Sequence, residues 1–218
     1  MKKFTQKIVI YGAFSLVMAV FYAITHLLDL TPQSAVQLPR TENGTIAGAY
    51  FSPRDDVRSV MITLIDSERK KIQFAIYTIT DKKITQALVR AASRGVQIEG
   101  VVDRSYGQMA ASKVHALANA RISLWVYQTS ENEREAGLMH NKFMIFEETG
   151  DHHKPLVWTG SYNFTLRASE KNQENVVVFD TPALVESFKK YFSELKKASL
   201  QISGKQAQEK EEKQVPYA

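Results

Sequence analysis

Apolar and polar positions follow two rhythms through the middle of the chain. Val57, Val60, Met61, Leu64 and Ile65 recur at helical spacing, as do Ile84, Ala87, Leu88 and Ala91, with Gly95 as a stop. Short apolar runs separate and follow them: Ile72 to Ile79, Val96 to Val102, Ile122 to Tyr127, Leu138 to Phe146, Leu156 to Thr159 and Asn175 to Phe179. These runs are rich in β-branched and aromatic residues, as strands buried on both faces require. Ser52-Pro53-Arg54-Asp55 predicts the cap of the first helix, with proline at its first turn. Leu184, Val185, Phe188, Tyr191, Phe192 and Leu195 predict a last amphipathic helix. Strands alternating with helices predict an α/β sandwich, a mixed β-sheet with helices on both faces.

The two ends read differently. Ile8 to Leu28 is twenty-one residues without an acidic or basic side chain apart from His26, preceded by Lys2, Lys3 and Lys7. As a helix it spans about 31 Å, the thickness of a hydrocarbon core. Segment 1–30 therefore predicts an N-terminal transmembrane helix, with the amino end in the cytoplasm and the rest across the membrane. In a bacterial host this is the inner membrane, with the folded domain facing the periplasm. A cleaved signal segment is the rival reading and leaves that domain periplasmic or secreted. The length of the apolar stretch and the lack of a clean small-x-small cleavage site favour the anchor. Residues 31–44, with Pro32, Pro39, Asn43 and Gly44, read as a linker. Residues 45–200 form the folded domain, and 201–218, mostly Gln, Glu and Lys, read as a disordered tail.

Composition removes several classes of chemistry. The 218 residues include no cysteine, which excludes a disulfide scaffold, thiolate metal sites and thiol catalysis. Lys+Arg number 28 against 23 Asp+Glu, and the net charge of +5 leans toward anionic partners such as nucleic acid or acidic lipid.

One stretch carries candidate chemistry: Met139-His140-Asn141-Lys142 and its apolar continuation to Glu147, then Thr159-Gly160-Ser161-Tyr162-Asn163. On a strand, His140 and Lys142 project from one face about 7 Å apart, and Ser161 and Asn163 share that spacing. Two such pairs on neighbouring strands enclose an imidazole, an ammonium, a hydroxyl and a carboxamide. Lys and Asn can donate to the non-bridging oxygens of a phosphate ester, while His serves as nucleophile or proton carrier. Glu174 heads a further apolar strand, where its carboxylate could bind the far ring nitrogen of His140 and fix its tautomer.

The combination of H-x-K, an acid five residues later, G-S-x-N and N-x-E-N resembles the HKD motif of the phospholipase D superfamily. It is most similar to the small single-motif bacterial nucleases of that family. The resemblance runs from Ile46 to Lys196 and takes in Phe51-Ser52-Pro53, Ala75 to Thr80, and Ala91 to Val96 leading to Val102-Asp103. It implies the phospholipase D-like sandwich, a metal-independent phosphodiesterase and no cofactor. It also implies that His140 forms a covalent phosphohistidine, that Lys142 and Asn163 bind the phosphate with Ser161 in support, and that Glu174 orients the imidazole. Two departures stand out. Glu147 occupies the position of the motif's aspartate, and twelve residues lie between Glu147 and Gly160, more than the family usually has. The extra residues, around Thr149 to Pro155, read as a longer hairpin turn.

A double displacement needs a second proton carrier, and the chain offers no repeat. His26 lies in the anchor, His115 precedes Ala116-Leu117, and His152 and His153 lie in the predicted turn. A twofold homodimer sharing one cleft is the economical solution. The expected substrate is nucleic acid, DNA before RNA, cut with little sequence preference. A phospholipase D-type hydrolase of phosphatidyl or cardiolipin substrate is the alternative, with residues 8–28 holding it to the membrane. A DNA-binding module without turnover is the third. Of the remaining features, Asp151-His152-His153 reads as a solvated turn rather than a metal site, and Ser161 lacks a nucleophile-elbow context. Arg104, Tyr106 and Arg134 are candidates for the cleft rim. Lys189, Lys190, Lys196 and Lys197 read as the wet face of the last helix, and Trp125 and Trp158 as core.

Overall fold

The apolar runs pair into one eight-stranded sheet. The structure, a computed structural model, describes residues 38–107, 113–128, 137–150 and 153–202. Its strands are β1 (Ala47–Ser52), β2 (Lys71–Ile76), β3 (Gln97–Asp103), β4 (Ser123–Tyr127), β5 (Lys142–Phe146), β6 (Leu156–Gly160), β7 (Glu174–Phe179) and β8 (Ser199–Gln201). They lie in the order β1-β7-β6-β5-β2-β3-β4-β8. The β2–β3 and β3–β4 pairs are parallel and every other pair is antiparallel, so the sheet is mixed as expected.

Helices α1 (Val57–Ser67), α2 (Lys82–Ser93), α3 (Arg104–Gly107), α4 (Val114–Asn119), α5 (Leu166–Glu170) and α6 (Pro182–Lys197) complete the domain. Strand alternation sorts the core into two layers. Ile72, Phe74 and Ile76 of β2 pack with Met61 and Leu64 of α1, Ile84 and Leu88 of α2 and Leu117 of α4. Ala75, Val101, Phe143, Ile145 and Val157 pack on the other side with Val185, Phe192 and Leu195 of α6. Every residue of β5 is buried, the signature of a central strand covered on both faces. Trp158 and Trp125 are buried, one in each layer.

Several boundaries differ from expectation. Ser52 is the last residue of β1 rather than a cap. Its hydroxyl donates to the Ala168 carbonyl at 2.7 Å, and Asp56 caps α1 by accepting from the Ser59 N–H at 3.1 Å. Asp55 instead folds back on Phe51, taking its N–H with the carboxylate at 2.8 Å and donating its own to the Phe51 carbonyl at 2.7 Å. Within the expected linker, Arg40 bridges to Ile46 across a turn at Gly44, whose φ of 75° suits glycine. Beyond residue 200, Gln201 ends β8 and Ile202 packs on the core, so the ordered domain runs slightly past its expected end. Segments 8–28 and 203–218 lie outside the described residues, among which no helix is long and apolar enough to cross a membrane.

Candidate active site

Antiparallel pairing brings four strand ends together at one end of the sheet. Ile76 of β2 faces Lys142 of β5, Phe143 faces Thr159 of β6, and Gly160 faces Val176 of β7. The residues just beyond these pairs carry the candidate chemistry.

His140 lies ahead of β5 rather than within it, because the preceding chain is tied by other means. The buried Asp103 at the end of β3 accepts the Met139 N–H at 2.8 Å, and Tyr77 donates its N–H to the Asn141 carbonyl at 2.9 Å. His140 is exposed, whereas Lys142 is only 7% exposed. The Lys142 ammonium turns back to donate to the His140 carbonyl at 2.7 Å and lies 5.1 Å from the centre of the Tyr77 ring. The His140 and Tyr77 rings meet at 4.4 Å between centroids, inclined by 61°. Burial pushes the Lys142 ammonium below the ordinary lysine range, while the Glu174 carboxylate pulls it partly back.

Ser161 and Asn163 follow β6 in a segment that keeps strand-like alternation. Tyr162 between them and Phe164 after Asn163 are buried, and the Tyr162 hydroxyl meets the Ser169 hydroxyl at 2.5 Å. The Phe164 N–H donates to the Thr78 carbonyl, and the Phe164 carbonyl accepts from the N–H groups of Thr80 and Asp81. This lacing fixes Asn163 beside the end of β2. The Asn163 amide oxygen is buried without a hydrogen-bond partner among the described residues. Turning that amide puts its N–H2 in the same place, where it can donate to an incoming acceptor.

Gly160 allows β6 and β7 to approach closely enough to join Ser161 to Glu174. A Cβ at position 160 would lie 2.0 Å from the Asn175 carbonyl oxygen. Ser161 donates its N–H to that oxygen at 3.0 Å, accepts the Asn175 N–H on its hydroxyl at 3.1 Å, and donates the hydroxyl to Glu174 at 2.5 Å. The second Glu174 oxygen accepts from Asn172 at 2.8 Å. Here the geometry departs from expectation: Glu174 bonds Ser161 and Asn172 and makes no hydrogen bond to His140 among the described residues. Its charge bears on Lys142 instead.

Glu147 stands at the far end of β5 from His140, and its carboxylate pairs with Lys189 of α6 at 2.7 Å. Lys196 bonds Glu99 at 2.6 Å and covers the Trp125 ring at 4.0 Å, so these lysines fasten α6 to the sheet. His153 approaches Glu148 at 3.3 Å. Arg104 opens α3 next to Asp103 and is half-buried. Arg134, Asp151 and His152 lie outside the described residues, as does the side chain of Tyr106. Among the described residues no group of three or more His, Asp or Glu side chains converges as metal ligands would. Tyr77 and Asp103 belong to the site although neither stands in the motif. The available signals were an aromatic and an acid, each at the end of an apolar run.

The domain family described as "Cardiolipin synthase, PLD-like domain" matches residues 61–196. A phospholipase D from Rickettsia bellii is 34% identical over 152 residues, which cover 70% of this chain and 68% of the relative. A mitochondrial cardiolipin hydrolase from Danio rerio is 32% identical over 133 residues, covering 61% of this chain and 54% of that protein. Between about half and two thirds of each curated relative is thus spanned by this chain. Among solved structures, the phospholipase D family member Nuc from Salmonella typhimurium superposes with a TM-score of 0.63 at 29% identity, covering 73% of this chain and 99% of Nuc. A match across more than half its length, carried into three dimensions by the Nuc-like fold, makes this chain a member of the phospholipase D superfamily of phosphodiesterases.

Proposed function

We propose that the protein hydrolyses phosphodiester bonds of nucleic acid, without a metal, through a covalent intermediate on His140. The observation that carries this reading is an exposed imidazole and a buried ammonium, two residues apart, meeting on one tyrosine ring. An exposed ring can reach a substrate phosphorus, and a desolvated cation attracts phosphoryl oxygens more strongly than one in water. One His140 nitrogen attacks phosphorus, the P–N bond forms, and the P–O bond to the leaving nucleoside breaks. Lys142 and Asn163 hold the non-bridging oxygens. The departing oxygen takes a proton from a second imidazole. Water then attacks phosphorus and gives its proton to that same imidazole, and cleavage of the P–N bond restores His140.

The second imidazole is His140 of another copy in a twofold dimer. Phe51, paired with Asn175 beside Glu174, and Leu138 and Leu166, close in sequence to His140 and Asn163, are apolar side chains 44%, 60% and 52% exposed. An apolar rim of this kind suits burial against a second copy. Segment 8–28 tethers the domain to a bacterial inner membrane, with the site on the periplasmic side.

Nucleic acid is favoured by the start of α2. Lys82 and Lys83 are exposed in its first turn, where cations oppose the helix dipole, so helix stability does not account for them. The Asp81 cap before them already pairs with Arg58 at 3.5 Å. Through the Phe164 carbonyl this turn adjoins Asn163, where a phosphate chain leaving the site would pass. Lipid is the second reading, favoured by the names of the Rickettsia and zebrafish relatives and by the apolar rim.

The test offers full-length protein in detergent, with EDTA present, both plasmid DNA and vesicles containing cardiolipin, beside His140→Ala. DNA nicking that His140→Ala abolishes is the expected result. Head-group release without nicking selects the lipid reading, and DNA binding without turnover of either substrate selects a non-catalytic module.

A further inference from the structure

Tyr77 lies one step past β2, on a different strand from every residue of the H-x-K and G-S-x-N segments. Its N–H bond to Asn141 extends the β2–β5 pairing beyond Ile76 and Lys142 and carries its half-buried ring to the start of β5. There the ring meets the His140 imidazole at 4.4 Å and the Lys142 ammonium at 5.1 Å. We propose that Tyr77 is a positioning residue, holding the imidazole and the ammonium in mutual register through its aromatic ring. The inference rests on the reading of His140 and Lys142 given above.

A ring suits this task better than a polar side chain. The His140 ring has no hydrogen-bond partner among the described residues, and an exposed side chain without one would spread over several rotamers. The Lys142 ammonium has three N–H donors, and one goes to the His140 carbonyl. An aromatic face attracts the cation without neutralising it, leaving donors for phosphate oxygens. A carboxylate in the same position would cancel the charge and repel the substrate. Among the described residues, the titratable groups around this ammonium are His140 on its own segment, Tyr77 from β2, Glu174 from β7 and, behind Met139, Asp103 from β3.

Full-length protein acting on bis(p-nitrophenyl) phosphate provides a readout independent of whether the natural substrate is nucleic acid or lipid. Tyr77→Phe keeps the ring and is expected to stay within about threefold of the parent kcat. Tyr77→Leu keeps apolar bulk, removes the π face, and is expected to lower kcat about tenfold, which corresponds to ~1.4 kcal/mol. Loss of the π face also removes stabilisation of the cation, so the alkaline limb of the rate profile moves to lower pH in the leucine variant and not in the phenylalanine one. Pentafluorophenylalanine at position 77 preserves the shape, reverses the charge of the ring face, and moves the limb the same way even if the leucine variant does not fold. A phenylalanine variant as slow as the leucine one, or an alkaline limb unmoved by both leucine and the fluorinated ring, overturns the inference. Activity surviving in His140→Ala instead brings down the reading of the site on which it rests.

Discussion

At the level of single residues, Lys142 concentrates the electrostatics of the site. It is buried where a free lysine would be solvated, and burial lowers its proton affinity more than Glu174 restores it. The ammonium therefore gives up its proton at a lower pH than an ordinary lysine, and phosphate binding is lost with it. The rate profile should fall on its alkaline side below the usual lysine range, whereas Lys142→Arg, which stays charged, should lose that limb. Lys142→Met should lower kcat about 10²–10³-fold, as loss of one donor to a developing oxyanion does. Gly160 gives a second residue-scale expectation. An alanine there meets the Asn175 carbonyl, so Gly160→Ala should destabilise the fold by roughly 1–3 kcal/mol in urea titration and separate Ser161 from Glu174. His140, Lys142, Ser161 and Asn163 were legible in the sequence because two-residue spacing is a local signal. Tyr77 and Asp103 were not, because they reach the site only through strand pairing. The partner of Glu174 is hidden from the sequence for the same reason: it depends on how closely Gly160 lets β7 approach.

Elements divide into those whose apolar pattern is strong and those held by context. The central strands β2, β3 and β5 are apolar enough to read directly, although the apolar run from Leu138 to Phe146 is longer than the strand Lys142–Phe146 that it contains. Its first residues are tied by Asp103 and Tyr77 rather than by continuous ladder pairing. The edge strands carry little local signal. β1 reads AGAYFS, with a glycine and two alanines that have little strand preference, and β8 has three residues. Sheet pairing rather than local propensity makes them strands. Glu147 belongs to this scale, because its salt bridge joins β5 to α6 at the end opposite the reacting groups. Glu147→Gln should change stability by less than about 1 kcal/mol, as partly exposed pairs do, and leave kcat/KM on bis(p-nitrophenyl) phosphate unchanged. A large loss of kcat with unchanged stability would mean that the motif acid acts on the reaction after all.

For the whole molecule, the sandwich follows from strand–helix alternation, and antiparallel pairing places the site at one sheet end. The number of copies needed for activity depends on a surface. An exposed His140 that needs a second imidazole suits a cleft completed by a second chain, and that arrangement has a quantitative consequence. If one composite site needs His140 from both copies, a mixed dimer with His140→Ala is inactive. Wild type and variant exchanged in equal amounts should then retain about a quarter of wild-type activity rather than half. Proportional loss would mean that each subunit acts alone.

The covalent step can be caught directly. Protein quenched into alkaline denaturant during turnover of bis(p-nitrophenyl) phosphate, then digested and weighed by mass spectrometry, should carry a nitrophenyl phosphate group on the imidazole of the peptide containing His140. A phosphorylated group elsewhere in the chain, or full turnover with His140 never modified, would contradict the account.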